Sequence, residues 1–336
     1  MVYLAVLVLA TSLLLLIYAY RCTSGPKSIS TISREADIVP VSVNYFFTRH
    51  CNAECGFCFH TETSSYKLPL DQARKAGMKK MNFAGGEPFL YPKYLAELCR
   101  YCKEDLKLES VSIISNGTKV TEKWVKEYGR FVDILAVSCD SVHPATNAAI
   151  GRADRSSGIP FDNVEKLFQI KDWCLEYGVR FKLNTVVCSL NWKESMADTV
   201  EKLDPFRWKV FQVLVVVGEN ESDGRKRDAT KFVITDEQYA DFCSRHKHLK
   251  CMVPESNKAM KSSYLLVDEY MRFLDKGDGD EKVSQSILDV GVQKAIKQVR
   301  WDQEEFHNRG GICDWNSAAE KAQSCGGPGA GRELQW

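Results

Sequence analysis

Six runs rich in β-branched and aromatic residues, at 42–49, 80–85, 110–116, 133–140, 180–187 and 207–217, take turns with apolar patterns of helical period at 94–104, 121–128, 164–177 and 195–203. Strands kept apart by amphipathic helices cannot close as hairpins, so this alternation specifies βα units and a parallel sheet. Six units make most of a barrel but not an eight-fold one. The expected fold is therefore α/β, a partial (βα)6 barrel over 41–217. From 218 to 336 the pattern gives way to a polar loop, a helix near 236–245 and short irregular segments, read as a C-terminal extension ending in a flexible tail.

The first residues are a separate object. Val2 to Tyr20 carries no charge, and as a helix it matches the hydrocarbon thickness of a bilayer. Residues 1–21 are expected to form a hydrophobic membrane-anchor helix, with the Ser- and Thr-rich stretch 22–40 as a linker. The first basic residues, Arg21, Lys27 and Arg34, all follow the run, which puts the body of the protein in the cytosol. A cleaved signal peptide would want a basic segment before the run, and an interfacial helix would want a polar face. With 45 basic against 44 acidic residues the chain has no bulk field for nucleic acid, so any polyanion must meet a local basic cluster. The 13 cysteines are odd in number and widely spread, which suits thiols in a reducing compartment.

Three of those thiols stand apart. Cys51, Cys55 and Cys58 follow the first strand in a C-x3-C-x2-C spacing, on a loop at the end of a parallel strand where barrel enzymes keep their chemistry. Three thiolates can hold three irons of a [4Fe-4S] cube and leave the fourth iron open. Structural zinc would need a fourth protein ligand, which His60 or His50 could supply. Cys99 and Cys102 share a helix face and read as small buried apolar groups. The cysteines outside the loop form no second cluster-like set.

The three-cysteine loop, followed by Gly85-Gly86-Glu87-Pro88 after the second strand, resembles the radical S-adenosylmethionine superfamily. The ordered segments SVNYFFTRHCNAECGFCFH, NFAGGEPFL, SVSIISNGT, DILAVSCDS, RWKVFQ, VPESN, SYLLVDEYMRFLD and SILDVGV resemble, more narrowly, the viperin family of antiviral enzymes. The resemblance runs from about Pro40 to Gly311. It implies a [4Fe-4S] cluster held by Cys51, Cys55 and Cys58, and S-adenosylmethionine bound on the open iron and cleaved by one electron to a 5'-deoxyadenosyl radical. It also implies a pyrimidine nucleoside triphosphate, CTP or UTP, as substrate, which loses its 4'-hydrogen to the radical and water from C3', one electron and one proton completing the 3'-deoxy-3',4'-didehydro product. It further implies residence at the endoplasmic reticulum membrane or a lipid-droplet surface.

Residue by residue, the resemblance gives Gly85, Gly86 and Glu87 to the methionyl end of S-adenosylmethionine, and Asn116, Ser138 and Arg152 to its ribose and carboxylate. Without it, Gly85-Gly86 is a plain turn, Asn116 and Ser138 are strand-end caps and Arg152 is a surface arginine. Asn44, Lys80, Lys182, Asn184, Arg207, Lys209 and Tyr264 fall at the family's nucleotide contacts. Side chains two apart on a strand share a face, so Lys182 points with Asn184 and Arg207 with Lys209. Burying them side by side inside a barrel is costly unless the lumen holds an anion; the alternative is exposed strand ends. Tyr264 is the one catalytic candidate, giving a hydrogen bond to ribose or a proton after the radical step, or else packing as a core aromatic.

The chain departs from the family in three places. The segment from Leu68 to Met81 is about two helical turns short, which bears on Lys80 and on stability. Ala84 stands where many members have Ser. The tail ends Glu333-Leu-Gln335-Trp336, and a terminal Trp resembles the peptide by which iron-sulfur proteins engage the cytosolic cluster-assembly machinery, although Gln335 replaces an acidic residue. Two other readings stay open: a radical enzyme acting on a peptide, and a membrane-tethered interaction protein that keeps the fold without catalysis.

Overall fold

The computed structural model describes residues 40–59, 79–154, 163–216, 227–275 and 282–308, all within the unit Val39–Trp336. The expected anchor helix 1–21, most of the linker 22–40, the shortened crossover before Lys80 and the tail with Trp336 lie outside the described residues.

The six expected strands are present as β1 (Ser42–Phe46), β2 (Lys80–Ala84), β3 (Ser110–Ser115), β4 (Ile134–Ser138), β5 (Arg180–Val187) and β6 (Arg207–Gln212). They lie side by side in chain order and pair in parallel. These six make up the barrel part over 41–217, and the extension adds strands at both flanks. The strand β7 (Met252–Glu255) joins β6 in parallel, and β8 (Leu266–Val267) joins β1 in parallel. Two further strands, β9 (Arg272–Leu274) and β10 (Val283–Ser286), continue antiparallel beyond β8. The order across the described sheet is β10-β9-β8-β1-β2-β3-β4-β5-β6-β7. Residues 218–336 therefore complete the sheet as well as following it.

The helices between the strands form for local reasons. In α1 (Pro92–Glu104), proline opens the first turn, and Leu95, Leu98, Cys99 and Cys102 recur on one buried face. Thr121 caps α2 (Glu122–Tyr128) by accepting from the Trp124 amide at 3.3 Å. A helix not anticipated, α3 (Pro144–Ile150), ends on Gly151 in the left-handed region at φ 92°. Two more follow the expected pattern, α4 (Asn163–Glu176) and α5 (Ala197–Leu203). A capping box of Thr235 and Gln238 starts α6 (Asp236–His246).

The two faces of the sheet differ in chemistry. Val43, Tyr45, Met81 and Phe83 meet Leu98, Tyr101 and Cys102 of α1 across an apolar cleft, and Trp208 packs its ring on Phe242 and His246 of α6. That face is the ordinary core. On the other face the register brings Ser42, Lys80 and Ser110 into one row, Asn44, Asn82 and Ser112 into the next, and Lys182 with Arg207, then Ser138 with Asn184 and Lys209, farther along. Paired residues of a parallel ladder point the same way, so this inner face is lined with amides, hydroxyls and cations. A small apolar cluster of Phe46, Ala84, Leu266 and Leu274 occupies the flank near β8, with Ile114 and Tyr264 against it.

Candidate active site

The loop carrying the three thiols is clamped by backbone from two neighbouring turns. Gly86 N–H donates to the Thr48 carbonyl at 2.7 Å and Glu87 N–H to the His50 carbonyl at 2.8 Å. From the other side, Glu54 N–H donates to Gly151 O at 3.1 Å and Gly56 N–H to Ile150 O at 2.8 Å. The approach is too close for side chains: a Cβ on Gly86 would lie 2.0 Å from the His50 oxygen, and one on Gly151 2.2 Å from the Glu54 oxygen. The backbone that approaches Gly86 so closely is that of Arg49 and His50, which lead into the thiol loop. The root of the loop is held by the buried pair Arg49 and Glu269, with Nε 3.0 Å from Oε1.

Within the loop Cys55 is buried, and Cys51 and Cys58 are half-buried. Burial pushes the Cys51 thiol up to about 12; the Ala53 amide acts against this, and Glu87, Cys55 and Cys58 add to it. Burial likewise pushes Cys55 up to about 11, opposed by the nearby Arg152 charge. The thiols feel one another's charge, so they share one locality, and they must lose protons to bind a metal. Among the described residues, no three His, Cys, Asp or Glu side chains converge tightly enough for a single metal ion. The ring of His50 lies with Nδ1 3.2 Å from the Tyr91 hydroxyl, and His60 lies outside the described residues. Three thiols with no fourth protein ligand among the described residues fit an iron-sulfur cube with an open iron better than they fit zinc.

The candidate contacts for S-adenosylmethionine surround this loop. Glu87 is 0% exposed and already satisfied: its carboxylate accepts from Phe89 N–H at 3.0 Å, Ser115 Oγ at 2.7 Å and Asn116 N–H at 2.7 Å. Burial raises its pKa, with those donors acting against the rise. Its geometry is that of a bracket between the ends of β2 and β3. Asn116 donates to Asn52 Oδ1 at 2.9 Å and reaches to 3.9 Å from Cys51 Sγ. Ser138 sits half-buried at the end of β4 beside Asn184. Arg152, expected on a surface unless it meets a carboxylate, is buried and donates from Nε to Asp140 Oδ2 at 2.7 Å.

The nucleotide candidates that lie on strands share the inner face. Asn44 is buried on β1, its amide 3.5 Å from the Leu265 carbonyl. Lys182 pairs with Arg207 in the register, and Asn184 with Lys209 one step farther along. Lys80 is level with Ser110, whereas Lys182 is level with Ala136 and, through it, with Ile114. Four residues of β3 separate those rows, roughly 13 Å along the strand at about 3.3 Å per residue. Lys80 and Lys182 therefore lie in different register rows of the same face. Lys209 and Tyr264 do meet: Nζ lies 3.2 Å from the phenol oxygen, and both groups contact Glu255. Three buried polar atoms of this face, Ser110 Oγ, Ser112 Oγ and Asn184 Oδ1, have no hydrogen-bond partner among the described residues.

Comparison with known proteins places this arrangement. Residues 45–203 match the Radical SAM superfamily. The S-adenosylmethionine-dependent nucleotide dehydratase RSAD2 of Danio rerio is 48% identical over 90% of this chain and 87% of its own, and the Oncorhynchus mykiss protein of the same description is 46% identical over 87% and 85%. The chain belongs to the viperin family. In fold it is similar to a solved structure described as native anSMEcpe with bound AdoMet, with a TM-score of 0.58 at 16% identity, covering 82% of this chain and 87% of that one.

For a viperin-family chain, four residues of this site escaped the sequence reading. Asp140 takes Val186 N–H at 2.9 Å as well as Arg152, and only its place just past β4 hinted at a role. Gly151 was visible only as the neighbour of Arg152. Glu255 lies within VPESN, but a lone acid beside a proline gives no signal of facing a lysine 46 residues earlier. Glu269 is equally remote from its partner Arg49.

Proposed function

We propose that this chain is a radical S-adenosylmethionine enzyme that removes water from a pyrimidine nucleoside triphosphate, CTP or UTP. The observation that carries the reading is the inner face of the sheet. Lys182, Arg207, Lys209 and Lys80 line it together with the unpartnered Ser110, Ser112 and Asn184 atoms, below the three-thiol loop. Buried hydroxyls and amides without partners are costly, by about 1–3 kcal/mol each, so their concentration on one face marks a surface made for a polar ligand.

Cys51, Cys55 and Cys58 would hold a [4Fe-4S] cluster, and Asn116, Ser138 and Arg152 would border S-adenosylmethionine. Together these groups supply, when bound, a 5'-deoxyadenosyl radical. The chain's own residues do the positioning. The clamp of Gly86 and Glu87 on Thr48 and His50 fixes the height of the thiol loop above the lumen. Lys182, Arg207 and Lys209 hold the triphosphate through charge-assisted hydrogen bonds, so that the ribose C4'–H, rather than another C–H bond, faces the adenosyl group. Tyr264, seated on Lys209 and Glu255, would offer its hydroxyl to the ribose.

The same reading attaches residues 1–21 to an endoplasmic reticulum or lipid-droplet membrane with the catalytic body in the cytosol, supported by the uncharged run before Arg21. It offers Trp336 to the cytosolic iron-sulfur assembly machinery.

The test is anaerobic loading of the purified chain with iron and sulfide, followed by incubation with S-adenosylmethionine, dithionite and each of CTP, UTP, ATP and GTP, and mass spectrometry of the products. A nucleotide lighter by one water, absent from the Cys55→Ala variant, is the expected result. Deoxyadenosine without any altered nucleotide would sink the substrate assignment and leave the radical chemistry standing.

A further inference from the structure

Glu255 sits on β7 at the register position of Phe211, on the same face as Lys209 and Arg207. Among the described strand residues of that face, from β1 to β7, it is the one carboxylate. It is 2% exposed, Lys209 is 3% exposed, and both carboxylate oxygens are engaged. Lys209 Nζ donates to Oε1, and the Tyr264 hydroxyl donates to Oε2 at 2.5 Å. Nζ in turn lies 3.2 Å from the Tyr264 oxygen and 5.7 Å from the centre of its ring.

An acid inside a pocket for a polyanion opposes binding, because like charges a few ångströms apart repel in a medium poorer than water. Its presence calls for a compensating use. One use is structural: a buried lysine is expensive unless paired, and Glu255 gives Lys209 a partner when no phosphate is there. The second concerns turnover. Substrate and product of the proposed reaction carry the same triphosphate, so every increment of triphosphate affinity binds both equally. It slows product release without speeding the chemistry.

We propose that Glu255 is a positioning residue of the nucleotide site: it holds Lys209 and Tyr264 in the empty lumen and limits how tightly a triphosphate is retained. The inference rests on the nucleotide reading above. It assigns Glu255 no contact with the reacting atoms. Its effect runs through the lysine and the phenol that it grips.

The experiment is Glu255→Gln, which keeps the size and removes the charge; its amide oxygen can still accept from Lys209, while its NH2 donates to the Tyr264 oxygen and so reverses that hydrogen bond. CTP binding is followed by equilibrium titration of the full chain without S-adenosylmethionine, and KM and kcat are measured on the loaded enzyme. The expected result is a Kd for CTP about tenfold lower, the factor that 1.4 kcal/mol represents, with KM lowered and kcat reduced severalfold. A Gln variant that melts with the wild type yet binds CTP no more tightly would overturn the proposal. If the Gln variant does not fold, Glu255→Asp takes its place. Retaining the charge, it is expected to stay within about threefold of the wild-type Kd, and a tenfold tightening there would assign the effect to geometry and overturn the charge argument. A wild-type chain that binds no nucleoside triphosphate would remove the nucleotide reading and this inference with it. Failure of the Gln variant alone leaves that reading in place.

Discussion

Arg152 and Asp140 form a buried ion pair, Nε to Oδ2 at 2.7 Å, whose charges both reach the Cys55 thiol. Burial works against the arginine's charge, and Asp140 more than offsets it, so the guanidinium is held firmly protonated. Asp140 is pinned in turn by the Val186 amide at 2.9 Å, and its backbone carbonyl accepts from Asn191 Nδ2 at 2.7 Å. The cation expected to meet a carboxylate of S-adenosylmethionine is thus carried on a rigid post at the end of β4.

Replacing Asp140 by Ala would strand the arginine. Breaking a buried pair by removing one partner costs about 3–5 kcal/mol, because the remaining charge is left without compensation. The double variant Asp140→Ala, Arg152→Leu should recover a large part of that loss. Urea unfolding of the two variants decides it; equal destabilisation in both would mean that the pair contributes through packing alone.

Gly86→Ala tests the clamp on the thiol loop. The added methyl would meet the His50 oxygen at 2.0 Å and the Arg49 carbonyl carbon at 2.7 Å, and both are backbone atoms that cannot rotate aside. Forced overpacking costs about 1–3 kcal/mol, and here it displaces the segment that leads into Cys51. The expected outcome is a lower melting temperature and less iron bound per chain after reconstitution. Wild-type iron content would show that the glycine serves the turn alone.

The positions of the first six strands were legible because each is a β-branched or aromatic run and helices of clear period separate the second to the sixth, and Cys51, Cys55 and Cys58 declared themselves by spacing. The flanking strands were not legible, for physical reasons. β7 carries Pro254, tolerable on an edge but a contrary signal in a sequence, and β8 spans only Leu266 and Val267, too short to show any period. Site residues on strands could be assigned to faces from the two-residue repeat. What single residues could not reveal was pairing across the fold: that Arg152 rests on Asp140, Glu87 on Ser115 and Asn116, and Lys209 on Glu255.

Ser112 offers a cleaner probe of the lumen than any of the lysines. Its hydroxyl is buried without a partner among the described residues, whereas the hydroxyl of Thr185, on the opposite face, donates to the Cys139 carbonyl at 2.6 Å and accepts from Trp208 Nε1 at 2.9 Å. Ser112→Ala should therefore leave the nucleotide-free chain unchanged or stabilised by up to about 1 kcal/mol, and weaken CTP binding by about fivefold, the share of one hydrogen bond. Thr185→Val should instead cost about 1–3 kcal/mol of stability. Melting curves with and without CTP separate the two, and a Ser112→Ala chain that binds CTP as the wild type does would remove this hydroxyl from the site.

His246 sets an acid limit to the fold away from the chemistry. It is fully buried on α6, where Nε2 accepts from the Met196 amide at 2.9 Å, so Nδ1 carries the proton and donates to the Phe242 carbonyl at 2.8 Å. Burial is the main force that lowers its pKa from 6.5; the Phe242 carbonyl opposes this, while the charges of Arg245 and His248 add to it. A group whose folded pKa lies below its unfolded one binds more protons in the unfolded chain, so stability from this residue is complete above about pH 6.5 and declines as the pH falls through that value. The slope cannot exceed about 1.4 kcal/mol per pH unit for one site. Unfolding free energy measured from pH 7.5 to 5 should show this decline, and His246→Gln should flatten it while lowering stability at neutral pH. An unchanged slope in the variant would assign the acid sensitivity to other groups.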